Sequence, residues 1–204
     1  MALISTLQDT FDNSLDKVTK WSASGAGATW DSVGRRVQLT CTTPDTFLQS
    51  GATYDLTSSS IYAMVTPPVV GNGGKYTGLG VGSGTSFLTI RVLGSTLLAI
   101  KSVAGTVTQQ NIGSYTLPSH RWWRIRESGG TAFFDVSRDG NIWNNVWSTA
   151  KGIAVTAVPA YVQCGYTGTE AASNGFVDFV NLPIDVRPPV IKNMNGALLR
   201  ASTR

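Results

Sequence analysis

The sequence predicts an all-β fold, an antiparallel β-sandwich, on three observations. Strand-favouring residues dominate: 24 Thr, 19 Val and 10 Ile stand against 2 Glu and 6 Lys, which commonly furnish the surfaces of helices. Segments alternating apolar and polar residues recur along the body between Gly, Pro, Asn and Asp punctuation. No segment has an apolar helical period long enough to build a helical layer; only 13–21 and 197–204 could form a turn or two. At 204 residues the chain can bury a full core as one domain, and all-β sandwiches reach this size.

Taken in order, the first clear strand is Arg36-Val37-Gln38-Leu39-Thr40-Cys41, whose period places Val37, Leu39 and Cys41 inward. Residues 67–74 read as a long return connection, which suits two packed sheets better than an up-and-down barrel. The glycine-rich stretch 71–84 fails both phosphate-loop patterns, because Lys75 precedes Tyr76 and no G-x-G-x-x-G spacing occurs; it reads as a bulged β-connection. In residues 89–101 a Gly94-Ser95 loop pairs Val92 with Leu97 and Ile90 with Ala99.

In residues 122–137 a Gly129-Gly130 loop sets Trp123 against Val136 and Ile125 against Phe134. It also sets Arg124 against Asp135 and Arg126 against Phe133, so an opposite-charge pair and two apolar pairs fall into place together. An Asp139-Gly140 turn then pairs Val136 with Trp143 and adds Trp143 to the inner cluster. Residues 9–12 and 175–179 share a character and are expected to pair as neighbours, bringing the ends of the body together.

After Val186 the pattern stops. Arg187-Pro188-Pro189 cannot continue a central strand and favours an extended conformation. The expected domains are therefore a sandwich over 1–186 and a basic, Pro-containing docking arm over 187–204. The arm's anchoring residues are Arg187, Pro188, Pro189, Ile191, Lys192, Leu198, Leu199, Arg200 and Arg204. The body holds 12 basic and 12 acidic side chains, the arm four basic and no acidic. A neutral body argues against a nucleic-acid partner, and no apolar run of membrane-spanning length occurs. The start MALISTLQDTF lacks a basic n-region, so the chain is expected to fold in a cytoplasm, with Cys41 and Cys164 as reduced, buried apolar residues.

No catalytic residue, metal or cofactor is expected. The single histidine, His120, lies at the start of a strand without a paired nucleophile motif. No C-x-x-C or H-x-x-x-H spacing offers a zinc site, and the turn explains Asp139 better than calcium does. Glycoside hydrolysis needs two carboxylates, yet neither Glu127 nor Glu170 has a second acid two to five residues away, and Glu127 reads as a surface residue. The reading is therefore non-enzymatic. Trp122, Phe133 and Trp147, left over when the period assigns Trp123, Phe134 and Trp143 to the core, are the candidate carbohydrate-stacking rings.

The run His120-Arg121-Trp122-Trp123-Arg124-Ile125-Arg126-Glu127-Ser128-Gly129-Gly130-Thr131, continued by Phe133-Phe134-Asp135-Val136-Ser137-Arg138-Asp139-Gly140-Asn141-Ile142-Trp143, resembles concanavalin A-like (laminin-G/jelly-roll) sandwich domains. More narrowly, it is similar to the version in minor tail proteins of tailed phages of actinobacteria. The opening Asp9-Thr10-Phe11-Asp12-Asn13-Ser14-Leu15-Asp16 … Trp21 and the closing Gly175-Phe176-Val177-Asp178-Phe179 fit the same pattern. The resemblance spans about 3–182 and implies a jelly-roll component of a virion, at or near the tail tip. It is expected to contact other virion proteins and further copies of itself, with trimer-related symmetry, and to bind host glycan weakly. A capsid-surface decoration protein and a free carbohydrate-binding module are the alternatives.

Overall fold

The computed structural model describes residues 1–17, 19–24, 27–42, 44–68, 74–166, 173–182, 190–192 and 198–200. After a short 3-10 turn at Ile4–Thr6 come β1 (Trp21–Ser24), β2 (Ala28–Asp31), β3 (Arg36–Cys41), β4 (Thr46–Ser50), β5 (Ser60–Thr66), β6 (Lys75–Ser83), β7 (Ser86–Leu93) and β8 (Thr96–Val103). Then follow β9 (Thr106–Ser114), β10 (Trp122–Ser128), β11 (Thr131–Ser137), β12 (Asn144–Ala150), β13 (Ala160–Tyr166), β14 (Ser173–Asp178), β15 (Val190–Lys192) and β16 (Leu198–Arg200). A first sheet has the order β1-β4-β13-β6-β7-β8-β9 and a second β12-β11-β10-β5-β14-β3-β2. Every strand pair in both is antiparallel, giving the sandwich that the composition and period predict.

The core is built from inward rows of the two ladders. In the first sheet Leu48, Val162, Leu79, Ile90 and Ala99 lie side by side across five strands, and all are buried. In the second, Phe134, Ile125 and Ile61 form a matching row, as do Val65, Val177 and Val37. Burial of Val37, Leu39 and Cys41 follows the expected alternation along β3. The β7–β8 and β10–β11 hairpins have the predicted registers. Gly129 and Gly130 both have positive φ, 57° and 82°, which the tight β10–β11 turn requires and which a side chain would resist.

The ends of the body meet, but not by strand pairing over the expected length. Asp9 bridges Val180, just beyond β14, while β14 itself pairs with β3 and β5. Asn181 completes the closure: its amide nitrogen donates to the Ile4 and Leu7 carbonyls at 2.9 Å each, and its carbonyl accepts the Tyr62 N–H at 2.9 Å. The Asp9 carboxylate accepts from the Phe11 N–H and the Trp21 indole, which fixes the segment leading into β1.

Three expectations are corrected. Residues 75–83 are a nine-residue strand inside the first sheet, not a connection; residues 69–73 lie outside the described residues. Trp143 does not join the core, because the β11–β12 connection is one residue longer than the expected turn: Val136 pairs with Asn144, and Trp143 precedes β12. Cys41 and Cys164 are bonded to each other and link the two sheets, with Cα atoms 4.7 Å apart. Both face inward on strands that the Thr42–Gly165 bridge draws together, a proximity invisible at a separation of 123 residues.

In the expected arm, Arg187, Pro188, Pro189 and Arg204 lie outside the described residues. The backbones at Ile191, Lys192 and Arg200 pair with those at Leu199, Leu198 and Val190, so β15 and β16 form a separate two-stranded ladder.

Candidate functional site

The three rings singled out in the sequence do not share an exposed face. Trp122 is fully buried, 5.8 Å from the Phe179 ring and 6.4 Å from Tyr62, with the Gly140 turn against its indole. Trp147 packs inward and stacks on Phe134 at 5.0 Å. Phe133 is half-buried and roofed by the Arg126 guanidinium at 3.8 Å. Trp143 stands on the outer face of the second sheet instead, edge-on to Tyr62 at 5.6 Å with Arg124 4.3 Å above it.

The other singled-out groups hold the structure. Contrary to its reading as a surface residue, Glu127 is buried. Its carboxylate accepts the Ser58 N–H at 2.9 Å and the Gly130 N–H at 2.7 Å, with Lys151 at 3.6 Å. Those N–H groups, led by Ser58, hold it below the usual carboxylate range. Asp139 accepts the Ile142 and Asn141 N–H groups, which lower it likewise and make it a turn residue. His120 accepts the Thr116 N–H through Nδ1 at 3.1 Å, and burial pushes the imidazole down. Glu170 lies outside the described residues.

A concavity lies on the outer face of the first sheet, where β4, β13, β6 and β7 lie side by side. Its alternating positions carry Phe47 and Gln49 from β4, Tyr161 and Gln163 from β13, and Phe87 and Arg91 from β7. Between them runs β6, whose residues on this face are Gly78, Gly80 and Gly82. A strand bare of side chains in the middle of a sheet face is a trough, and the flanking strands wall it. It encloses about 400 Å³, within the roughly 300–1,000 Å³ of small-molecule clefts.

The floor is ordered by close packing. Tyr161 folds over the backbone at Gly80 and meets the Phe47 ring edge-on at 6.1 Å. Burial pushes the Tyr161 phenol up to about 12, with the Thr89 hydroxyl in hydrogen-bond reach; Thr89 also donates to the Leu79 carbonyl at 2.9 Å. At the end of the trough Tyr76 lies against Gly165, and its hydroxyl donates to Asp45; burial first, then Asp45, raises that phenol's pKa. Phe47 and Phe87 are half-buried walls and Gln49 is exposed, so the trough offers ring faces beside amides and one guanidinium. Such a mixture can pack the C–H face of a sugar while its hydroxyls exchange hydrogen bonds with amide groups.

The sequence does contain a signal for this face. Glycine at 78, 80 and 82 has the strand period of two, which marks one bare face of a strand rather than a loop.

The two antiparallel sheets and their connectivity define a jelly-roll sandwich of the concanavalin A-like glucanase type. No family model and no curated protein matches the chain. Solved structures do. The β-glucanase of Bacillus licheniformis superposes with a TM-score of 0.61 at 14% identity, covering 85% of this chain and 95% of that one. A β-1,3-glucanase from Mycobacterium marinum gives 0.61 at 10%, covering 85% and 96%. An immunostimulatory antigen and pseudo β-1,3-glucanase of Mycobacterium tuberculosis gives 0.62 at 12%, covering 85% and 95%. At these identities the likeness is one of fold.

That likeness overturns the non-enzymatic reading. The lack of a closely spaced carboxylate pair and the solitary histidine do not exclude catalysis: chains of this fold, matched over nearly their whole length, are named β-glucanases, and one a pseudo-glucanase. A local spacing rule does not decide the matter, because this sheet assembles its outer face from strands far apart in sequence.

Proposed function

We propose that the chain is a carbohydrate-binding protein that receives a segment of glycan in the trough over β4, β13, β6 and β7. The observation that carries this reading is the glycine strand floored by Tyr161 and walled by Phe47, Phe87, Gln49 and Gln163. The glucanase-like fold supports it, since several neighbours are named for acting on glucans. The virion placement rests on the sequence resemblance alone, and none of the neighbours named above is a virion protein.

Affinity electrophoresis and calorimetry against a panel of neutral and acidic polysaccharides test the reading. Retardation by at least one polymer is expected, with Phe47→Ala and Gln163→Ala each weakening it about tenfold, or about 1.4 kcal/mol. Absence of retardation by every polymer, or binding indifferent to both substitutions, would sink it. Scoring the same incubations for new reducing ends shows whether the trough cuts what it holds.

A further inference from the structure

We propose that the trough selects an acidic glycan, with Arg91 pairing with the carboxylate or sulfate ester of one sugar unit; this rests on the carbohydrate-binding reading above. Among the described residues lining the trough, Arg91 is the only charged one. Its Nε is buried and has no hydrogen-bond partner. Buried polar atoms are ordinarily satisfied, so a trough-lining arginine whose Nε finds no partner within the chain is a guanidinium that no internal acceptor engages, and a ligand in the trough can engage its outer nitrogens.

The rest of the chain sharpens the point. Four other half-buried arginines, Arg35, Arg36, Arg124 and Arg126, each hold a carboxylate oxygen at 2.9 Å. Arg91 is equally half-buried and pairs with no carboxylate among the described residues. The nearby acid, Asp45, accepts the Tyr76 hydroxyl instead. The Tyr76 ring lies 4.5 Å beneath the Arg91 guanidinium, which restricts its plane.

Across the ladder from Arg91 stands Gly78 and then Gln163; Gly78 is buried beneath the Thr89 and Gln163 side chains, and Arg91 and Gln163 both line the trough. A sugar unit in the trough has its acidic group against Arg91 and a hydroxyl against Gln163. A guanidinium fork matches a carboxylate or sulfate oxygen pair, and partial exclusion of water strengthens the pairing relative to open solvent.

The test measures dissociation constants for polygalacturonate and alginate, for dextran sulfate, and for neutral lichenan, with the wild-type chain, Arg91→Gln and Arg91→Lys. An acidic polymer is expected to bind at least about tenfold tighter than lichenan. Arg91→Gln should erase that margin, lowering acidic affinity about tenfold more than lichenan affinity, and Arg91→Lys should keep part of it. The carboxylated and sulfated arms identify which acid is taken. Equal affinity for acidic and neutral polymers, unaffected by Arg91→Gln, overturns the acid selection and leaves the carbohydrate reading standing. Acidic binding that survives Arg91→Gln marks nonspecific attraction to other basic side chains and overturns the assignment too. If no polymer of any class binds, the carbohydrate reading itself falls, and this inference with it. Thermal unfolding of both variants confirms that each is folded when assayed.

Discussion

The Tyr161 ring fills the space that a side chain on residue 80 would take: a Cβ on Gly80 would overlap ring Cζ and the phenolic oxygen. The floor of the trough exists because residue 80 has no side chain. Gly80→Ala must move something, and the atoms in the way are the far end of a ring rather than backbone. The ring can swing off the floor, so the fold should survive with a loss of about 1–2 kcal/mol, typical of overpacking. Glycan affinity should fall by more than this loss of stability. Denaturant unfolding and calorimetry on the same variant check this; an unchanged affinity would mean the ring is not the floor that ligand meets.

The two hairpins at 89–101 and 122–137 are legible in the sequence because two-residue glycine loops fix a register, after which every pair follows. Trp143 departs from the same arithmetic: the connection after β11 is one residue longer than a tight Asp139-Gly140 turn, so Asn144 rather than Trp143 pairs with Val136 and the indole lies on the outer face. The trough was hidden more deeply. Phe47, Arg91, Tyr161 and Gln163 meet only because the sheet order is β4-β13-β6-β7, and no local pattern specifies which distant strands become neighbours. The period of 78–82 is visible in the sequence, but a glycine-rich stretch reads there as a bulged connection rather than as the absence of side chains from one face of a strand.

Asp135 is the anchor of the second sheet's outer face. Its Oδ2 accepts from Arg124 Nε and Arg126 Nε at 2.9 Å each, while Oδ1 accepts from the Asn145 amide at 2.8 Å. The carboxylate is 1% exposed, whereas the two arginines keep part of their surface in water and rest on Trp143 and Phe133. Removing the acid strands two like charges side by side. Asp135→Ala should cost about 3 kcal/mol in urea unfolding, the lower part of the range for breaking a buried pair. A cost under about 1 kcal/mol would show that solvent screens the arginines well enough to make the acid dispensable.

Glu127 should make stability depend on acid pH. Its folded pKa is depressed, chiefly by the Ser58 N–H and then by the Gly130 N–H and Lys151. A depressed carboxylate stabilises the fold above its unfolded value, about 4.3, and loses that contribution as pH falls through the folded value. Glu127→Gln keeps the shape but not the charge. Wild type should therefore exceed the variant in unfolding free energy at neutral pH, and the gap should narrow steadily below about pH 4.3. A gap that stays constant into acid would show that the ionised carboxylate contributes nothing through these bonds.

The Cys41–Cys164 bond spans 123 residues and joins the two sheets, so its loss frees a long loop in the unfolded chain. Chain-entropy reasoning puts the stabilisation at about 2–5 kcal/mol, with native-state effects of either sign added. The double variant Cys41→Ala, Cys164→Ala should unfold at lower denaturant by that amount, and reductant should destabilise the wild type without affecting the double variant. Both residues are fully buried, so thiol titration must be done on the unfolded chain, where no free thiol should react before reduction. If thiols react there without reductant, the pair is present as two buried apolar side chains; substitution then costs only small-cavity energy and reductant changes nothing.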